Sequence, residues 1–562
     1  MASESANVQG PAETPPSLLA RFWFPLAAVI VLGSIFATPW ICLAFDVHDE
    51  TISQFFMPAV YFSPMLLFLV LSVWWVFFYR GIEWVARLGV WFAAVALLGG
   101  IGAGVIYAAV RKVEFTMSPV GLVPRFHFNW ETTAETLLAK ELDAEKGKVE
   151  RLEPINATIG PTDFPAYRGR HTDGVVTFAF ARLEPDWSKK PPEVLWRKSC
   201  PGGYSGVAVA GNIVVTLQQQ DDIKKEVVVC YDRATGVHRW RFPYDAYYKD
   251  GNLMGDGPRS TPTIDNNHIY TIGATGQLVC LTVEGKLKWT HNILEIAKAK
   301  NVKWGLTGSP LIVDDLVIAH AGIDPEAPRE SALIAFEQTT GKIRWQVGKR
   351  PAGYSSPQLA TLDGVSQILL FDGAGLVSYD PKTGTELWHY PWVTKFEMNN
   401  VQPVVVGNDR VMISSEIENG AAMLRLKAPK GGKAGWTVDV AWKHKRFGAR
   451  FANPVTDGKF IYGLHHFDGN IICLDADTGD VRWKGNRLGP GQLLLADGTL
   501  IVVHGHTGEV MLFEASGSQL RELSRAAFLM EKDKTWNTPA FAGNQLFIRN
   551  QAEIVCVRLP IR

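Results

Sequence analysis

Apolar residues fall into two regimes along the chain. Near the amino terminus they form three long stretches, Leu18 to Phe45, Ile52 to Tyr79 and Val85 to Val110, whereas from about residue 196 they come as short runs such as VVVCYD and QLVCLT, cut by turn residues. Each long stretch is sufficient to span about 30 Å of hydrocarbon as a helix, so three retained transmembrane helices are expected over 18–110. The first is too long for a signal-peptide core and lacks a small-residue cleavage site before the next stretch. The loop FDVHDETIS carries Asp46, Asp49 and Glu50, and the loop YRGIEWVAR carries Arg80 and Arg87. Basic loops stay in the cytoplasm, which places a disordered tail over 1–17 inside and everything after about residue 111 on the extracytoplasmic, periplasmic side. Arg111, Lys112 and a tail without Lys or Arg before Arg21 run against the rule. Residues 111–160, with their alternating charges and occasional Leu, read as a solvated helix or stalk.

The short runs repeat. An apolar strand is followed by Asp-x-x-Thr-Gly, three residues and Trp: Asp232, Thr235, Gly236, Trp240; Asp380, Thr383, Gly384, Trp388; Asp475, Thr478, Gly479, Trp483. A fourth copy has Glu337 before Thr340, Gly341 and Trp345, and a fifth has a shorter turn with Thr282, Gly285 and Trp289. Two more are degraded: Leu424 to Trp442 carries an inserted KAPKGGKAG, and Leu512 to Leu523 has lost its Trp. Gly supplies a positive φ while the Asp and Thr side chains bond the exposed turn backbone, so the phrase specifies a hairpin. The Trp opens the outer strand, where its face fills the wedge between neighbouring sheets. Sheets repeated every 40 to 55 residues, none able to bury both faces alone, read as blades around an axis.

A second landmark counts the blades. A small or polar residue precedes Pro at Thr261-Pro262, Ser309-Pro310, Ser356-Pro357, Gln402-Pro403, Asn453-Pro454 and Thr538-Pro539, at intervals of 48, 47, 46, 51 and 85. The last interval holds two blades, with Gly491-Gln492-Leu493 as the hidden start, and Tyr204-Ser205-Gly206 opens the first. Eight inner strands result. The last strand, Ile554 to Val557, lacks its Trp, and Val194-Leu195-Trp196 lacks a preceding strand, so the two chain ends are expected to share one blade and close the ring. The fold expected for 161–562 is an all-β, eight-bladed propeller.

Composition removes other classes. Lys plus Arg and Asp plus Glu balance at 56 each, so the broad basic field that nucleic acid demands is missing. The six cysteines, at 42, 200, 230, 280, 473 and 556, show no CxxC or CxxCH spacing, and four of them lie inside apolar runs as packing residues. His465-His466 and His504-x-His506 lack a third metal ligand in sequence.

The repeat phrase and the count of eight resemble the pyrroloquinoline-quinone (quinoprotein-like) propeller family, over about residues 160 to 562. The opening FPAYRGRHTDGVV, from Phe164, is similar to the segment that precedes many bacterial propellers of that family. The resemblance implies one of two occupations: a cofactor-free scaffold like the outer-membrane assembly factor, or an alcohol or sugar dehydrogenase holding the quinone and calcium over the channel. Dehydrogenases of the family use neighbouring cysteines against the quinone, carboxylate and Asn calcium ligands and an Asp base. Here no two cysteines are adjacent, and the acids just ahead of the inner strands, Asp256, Glu397 and Asp533, stand on separate loops.

All inner strands start from one face, so the residues before them converge on one funnel. The candidates for binding there are Tyr204, Arg259, Trp304, Tyr354, Asn400, Arg450, Trp536 and Asn537. Arg and aromatic groups facing one cavity can stack on a planar ligand or clamp an anion; they can equally cap loop carbonyls or plug the channel. No catalytic or metal residue and no cofactor is assigned. The expected function is a membrane-anchored binding or scaffold protein for a protein or envelope partner. The alternative is a membrane-bound dehydrogenase dependent on pyrroloquinoline quinone and calcium.

Overall fold

A computed structural model describes residues 132–562, apart from 178–181, 251–254, 325–330, 416–418, 431–434, 467–468 and 531–533, together with 110–118, 121–128, Glu83, Val85, Leu88 and Phe92. The tail 1–17 and the three expected transmembrane stretches, save Val85, Leu88, Phe92 and Val110, lie outside the described residues. Among the described residues no helix is long and apolar enough to cross a membrane. The chain divides into two units, Met1–Phe115 with Val123–Glu131 and Thr116–Leu122 with Thr132–Arg562. The strands Val110–Ser118 and Gly121–Phe128 pair as a two-stranded sheet.

Among the described residues eight sheets follow one another in the larger unit, each of four consecutive antiparallel strands except at the closure and in the seventh, which gains a fifth, parallel strand. Blade 1 begins with the inner strand Ala208–Ala210 and ends with the outer strand His238–Tyr244. Blade 8 takes three strands from the carboxy terminus and its outermost, Glu193–Ser199, from the start of the domain. Cys556 pairs with Trp196 and Glu553 with Ser199, so the ends zip as expected and the ring has no open edge there.

The repeated phrase works between blades. Asp232 Oδ1 accepts from the Thr235 N–H at 2.9 Å and its hydroxyl at 2.8 Å, which shapes the turn. Gly236 then follows at φ +71°, and a Cβ there would meet the ring of Trp196 from the preceding blade at 2.7 Å. Gly285 meets Trp240, Gly341 meets Trp289 and Gly479 meets Trp442 in the same way. Each of those indoles also donates its Nε1–H to a carbonyl of the turn it covers: Trp196 to Arg233, Trp240 to Val283, Trp289 to Gln338 and Trp442 to Ala476. The Gly is needed twice, for the left-handed turn and for room for the neighbour's ring. Where blade 5 has lost its turn phrase, Trp388 of blade 4 has no such carbonyl and donates to Gln367 in its own blade at 2.7 Å.

The polar-Pro landmarks form a belt on the channel side. The backbone N–H of Thr261 donates to Ser309 Oγ, Ser309 to Ser356 Oγ, Ser356 to Gln402 Oε1 and Gln402 to Asn453 Oδ1, at 2.7 to 2.9 Å. Each side chain thus ties its blade to the preceding one, and the following Pro has no N–H to leave unpaired on the inner edge.

The inner strands of blades 1 and 7 begin without Pro, and both pair with the chain upstream of the ring. Phe164 bridges Val209, and the strand Val175–Val176 runs parallel to Gln492–Ala496 as its fifth neighbour. Between these points the chain crosses the channel. Pro165 accepts from the Ile264 N–H of blade 2, and Arg168 donates to Pro454 of blade 6 and to Asp173 in its own loop. Phe164 and Arg168 are each 2% exposed, so residues 164–176 form a plug with a buried core and a buried guanidinium whose Nη2 is bonded to two carbonyls.

The segment expected as a solvated stalk is helical over Ala134–Ala144 (α1), with Thr133 capping the Thr136 N–H. It is not solvated. Leu138 is 1% exposed, Glu141 accepts from Ser199, and Glu145 accepts from Lys198 of blade 8 and from His238 of blade 1 at 2.8 Å. One helix therefore bridges blade 1 and the outermost strand of blade 8, the strand that closes the ring. Burial pushes the Glu145 carboxyl upward, but the bonds from His238 and Lys198 outweigh it and hold the group at about 2. The charge alternation concealed this because α1 buries few apolar groups and docks through its carboxylates.

Candidate functional site

Six of the eight residues expected at the mouth line one cavity of about 150 Å³: Tyr204, Arg259, Trp304, Tyr354, Asn400 and Trp536. They converge because each stands a few residues ahead of an inner strand, on loops that all open on one end of the channel. Tyr167 from the plug forms the floor, with Thr307, Met398, Phe451, Gln492 and Thr538 between. Asn453 Nδ2 donates to the Tyr167 hydroxyl at 2.8 Å, so the belt itself holds that floor.

The remaining two expected residues play other parts. Asn537 is 2% exposed and turns away from the cavity, donating Nδ2 to Ser205 O at 2.9 Å, as an inter-blade tie. Arg450 stands at the rim with its guanidinium 5.3 Å from the Phe451 ring centre.

Two aromatic walls emerge. On one, Phe451 stacks on Trp536 at 5.2 Å and Trp536 on Tyr204 at 5.5 Å. On the other, Phe396 meets Trp304 edge-on at 6.4 Å and Trp304 meets Tyr354 at 5.6 Å. Cations lie over these rings: Arg259 over Tyr248 at 4.8 Å and Tyr204 at 5.7 Å, Lys303 over Trp304 at 5.0 Å and Phe396 at 4.8 Å, and Lys534 over Trp536 at 5.3 Å. Such pairs are favourable and strengthen as water is excluded. Arg259 also donates to the carbonyls of Gly255 and Gly257, so it both caps its loop and faces the cavity.

Phe451, Phe396, Tyr248, Lys303, Lys395 and Lys534 were not among the sequence candidates. A signal existed: Lys303-Trp304, Lys395-Phe396, Arg450-Phe451 and Lys534-x-Trp536 are cation-aromatic neighbours in four loops of one face. Tyr167 carried no local signal, since it comes from a segment far from the mouth in sequence.

Behind Arg259 lies Glu226, fully buried and accepting from the Tyr244 hydroxyl at 2.6 Å and the Ala274 N–H at 3.1 Å. Burial pushes its carboxyl up to about 7, against the lowering effect of Tyr244, Ala274 and Arg259. The described cysteines are all buried, and burial raises the thiols of Cys280, Cys473 and Cys556 to about 12, the behaviour of packing residues. His465 accepts from the Gly448 N–H and His504 from the His506 N–H, which gives both rings structural partners.

The sequence profile of the family described as outer membrane protein assembly factor BamB matches residues 224–485. Nearly half of the chain thus matches a PQQ-like β-propeller family model. No curated protein matches it in sequence. Among solved structures, BamB from Moraxella catarrhalis is 13% identical, with 66% of this chain and 100% of that chain covered at a TM-score of 0.46. The quinohemoprotein alcohol dehydrogenase from Comamonas testosteroni is 12% identical, with 76% and 85% covered at a TM-score of 0.48. A europium-containing methanol dehydrogenase is 12% identical, with 71% and 98% covered at 0.41.

Among the described residues the acids just ahead of the inner strands do not gather into a calcium donor set. Calcium takes six to eight oxygen ligands with carboxylates among them. Asp256 is held by Lys249 at 2.8 Å and by the Asp250 N–H, Glu397 is exposed on its loop, and Asp533 lies outside the described residues. Among the described residues no three His, Cys, Asp or Glu side chains gather as a metal site.

Proposed function

We propose that the chain is a membrane-anchored, extracytoplasmic propeller that binds a protein or envelope partner at its mouth. The observation that carries the reading is the asymmetry of the channel: one end is filled by residues 164–176, while the other is a funnel of rings and cations whose neighbouring acids are dispersed. Aromatic and Arg side chains around a partly open cavity are the composition of binding hot spots. The matching family is described as an assembly factor of outer membrane proteins, which supports an envelope protein as partner. The anchor rests on the three apolar stretches within 18–110. Crosslinking in intact membranes, followed by identification of the adducts, tests it: a discrete partner set lost on mutating mouth residues is expected, and the absence of adducts would end the reading.

The second reading, a quinone-dependent dehydrogenase, is favoured by Arg259 beside the stacked rings, where a planar anion would lie. Mixing the full chain with pyrroloquinoline quinone and calcium decides between the two. Stoichiometric quinone absorbance with dye reduction by alcohols or sugars would establish the enzyme, and no uptake is expected.

A further inference from the structure

We propose that the mouth receives an extended, acidic peptide segment of its partner protein, with an apolar or aromatic side chain of that segment entering the slot between the two aromatic walls. This rests on the reading of the chain as a binding propeller and specifies the chemistry of the partner.

Charge is the first argument. The chain as a whole is balanced, 56 basic against 56 acidic, so an excess of cations at one place is a matter of placement and not of composition. Away from the mouth several cations meet acids: Arg350 pairs with Glu386, Arg344 with Asp315 and Arg446 with Asp480. At the mouth, Arg259, Lys303 and Lys395 lie over rings, and among the described residues none of the three forms an ion pair with a carboxylate. Cations positioned in this way keep donors for an incoming carboxylate.

Unmet hydrogen bonds are the second. Trp304 and Asn400 both line the cavity, and the Trp304 Nε1–H and the Asn400 Oδ1 are buried without a hydrogen-bond partner among the described residues. One is a donor and the other an acceptor, the complement of a peptide group's carbonyl and N–H. Buried polar groups are nearly always paired, so an orphan donor and acceptor in one cavity point to a ligand that supplies both.

The third is the rim. Phe396 and Glu397 hold φ at +62° and +53°, a conformation side chains rarely adopt, and the loop that bears them leaves Phe396 47% exposed against Trp304. Val393 is 69% exposed on the same loop, and Met530 is 76% exposed after the outer strand of blade 7. Strain kept at an exposed aromatic residue marks a position held for contact. Exposed apolar groups interleaved with cations match an acidic segment with apolar anchors.

Panning a random heptapeptide display library against the purified full chain tests the proposal. Retained sequences should combine Asp or Glu with Phe, Tyr, Trp or Leu. Synthetic copies should bind about tenfold or more weakly to the exposed-lysine double variant Lys303→Glu/Lys395→Glu and to Phe396→Gly. They should bind unchanged to Arg170→Ala at the plugged end, with far-ultraviolet circular dichroism confirming that every variant is folded. An oligothymidylate serves as the rival stacking anion. Retention of neutral or basic peptides, no retention, indifference to the mouth variants, or displacement by the oligonucleotide would overturn the proposal. If the double variant keeps every membrane crosslink of the wild type, the peptide mouth is wrong and only a binding role for another surface of the propeller survives. If the wild type itself gives no crosslinks, both fall.

Discussion

The two ends of the channel are built to opposite rules. At the plugged end the chain fills its own ring: Phe164 and Arg168 are buried, and the guanidinium donates to carbonyls of Asp173 and Pro454. At the mouth, Phe396 and Met530 stand in solvent, backbone at Phe396 is strained, and polar atoms of Trp304 and Asn400 have no partner among the described residues. The plug segment buries its ring and ties its guanidinium to two carbonyls, whereas the mouth presents exposed rings and a cavity lined by those polar atoms.

Substitutions should separate the two ends by size of effect. Phe164→Ala, which hollows the plug, is expected to cost about 3–5 kcal/mol in denaturant unfolding. Arg168→Met keeps much of the volume but strands two carbonyls, for a loss of about 2–3 kcal/mol by the same measurement. If either proved neutral, the plug would not be part of the cooperative fold.

The buried Glu226 behind Arg259 sharpens the contrast through pH. Its carboxyl titrates at about 7 in the fold against an ordinary 4.5, so the stability its proton confers is complete below about 4.5 and is lost as pH rises through about 7. Glu226→Gln cannot ionise and should be more stable than wild type at pH 8 by about 2 kcal/mol, with the difference vanishing near pH 4. Glu145, between blades 8 and 1, runs the other way. Its carboxyl is held at about 2, so its contribution is present above about 4.5 and disappears as pH falls towards 2. Glu145→Gln should cost about 1–2 kcal/mol at pH 7 and little at pH 2.5, read from pH-dependent melting. The smallest effect belongs to the mouth: Phe396→Ala should change stability by less than about 0.5 kcal/mol, because the ring is half exposed. A large loss there would mean that the rim supports the ring.

Much of the ring was legible because its rules are local. Asp-x-x-Thr-Gly encodes a turn whatever surrounds it, and its recurrence with Trp carries the blade count, the shared last blade and the face on which the loops gather. The mouth was legible only in part. Tyr204, Arg259, Trp304, Tyr354, Asn400 and Trp536 meet there as their positions ahead of the inner strands imply, but Asn537 rotates towards Ser205 and Arg450 stays at the rim. Which way a side chain turns on a loop depends on the carbonyls of the next blade, and no local pattern contains them.

The order of residues by itself determined the hairpin phrase, the polar-Pro belt and the closure of the ring by its two ends, since each follows from backbone conformation and strand pairing over a few residues. Tertiary structure alone decided that residues 164–176 fill the channel, that α1 bridges blades 8 and 1 through Glu141 and Glu145, and that Tyr167 becomes the floor of the mouth. These depend on contacts between segments far apart in the chain, where the partner's position exists only after the ring has formed.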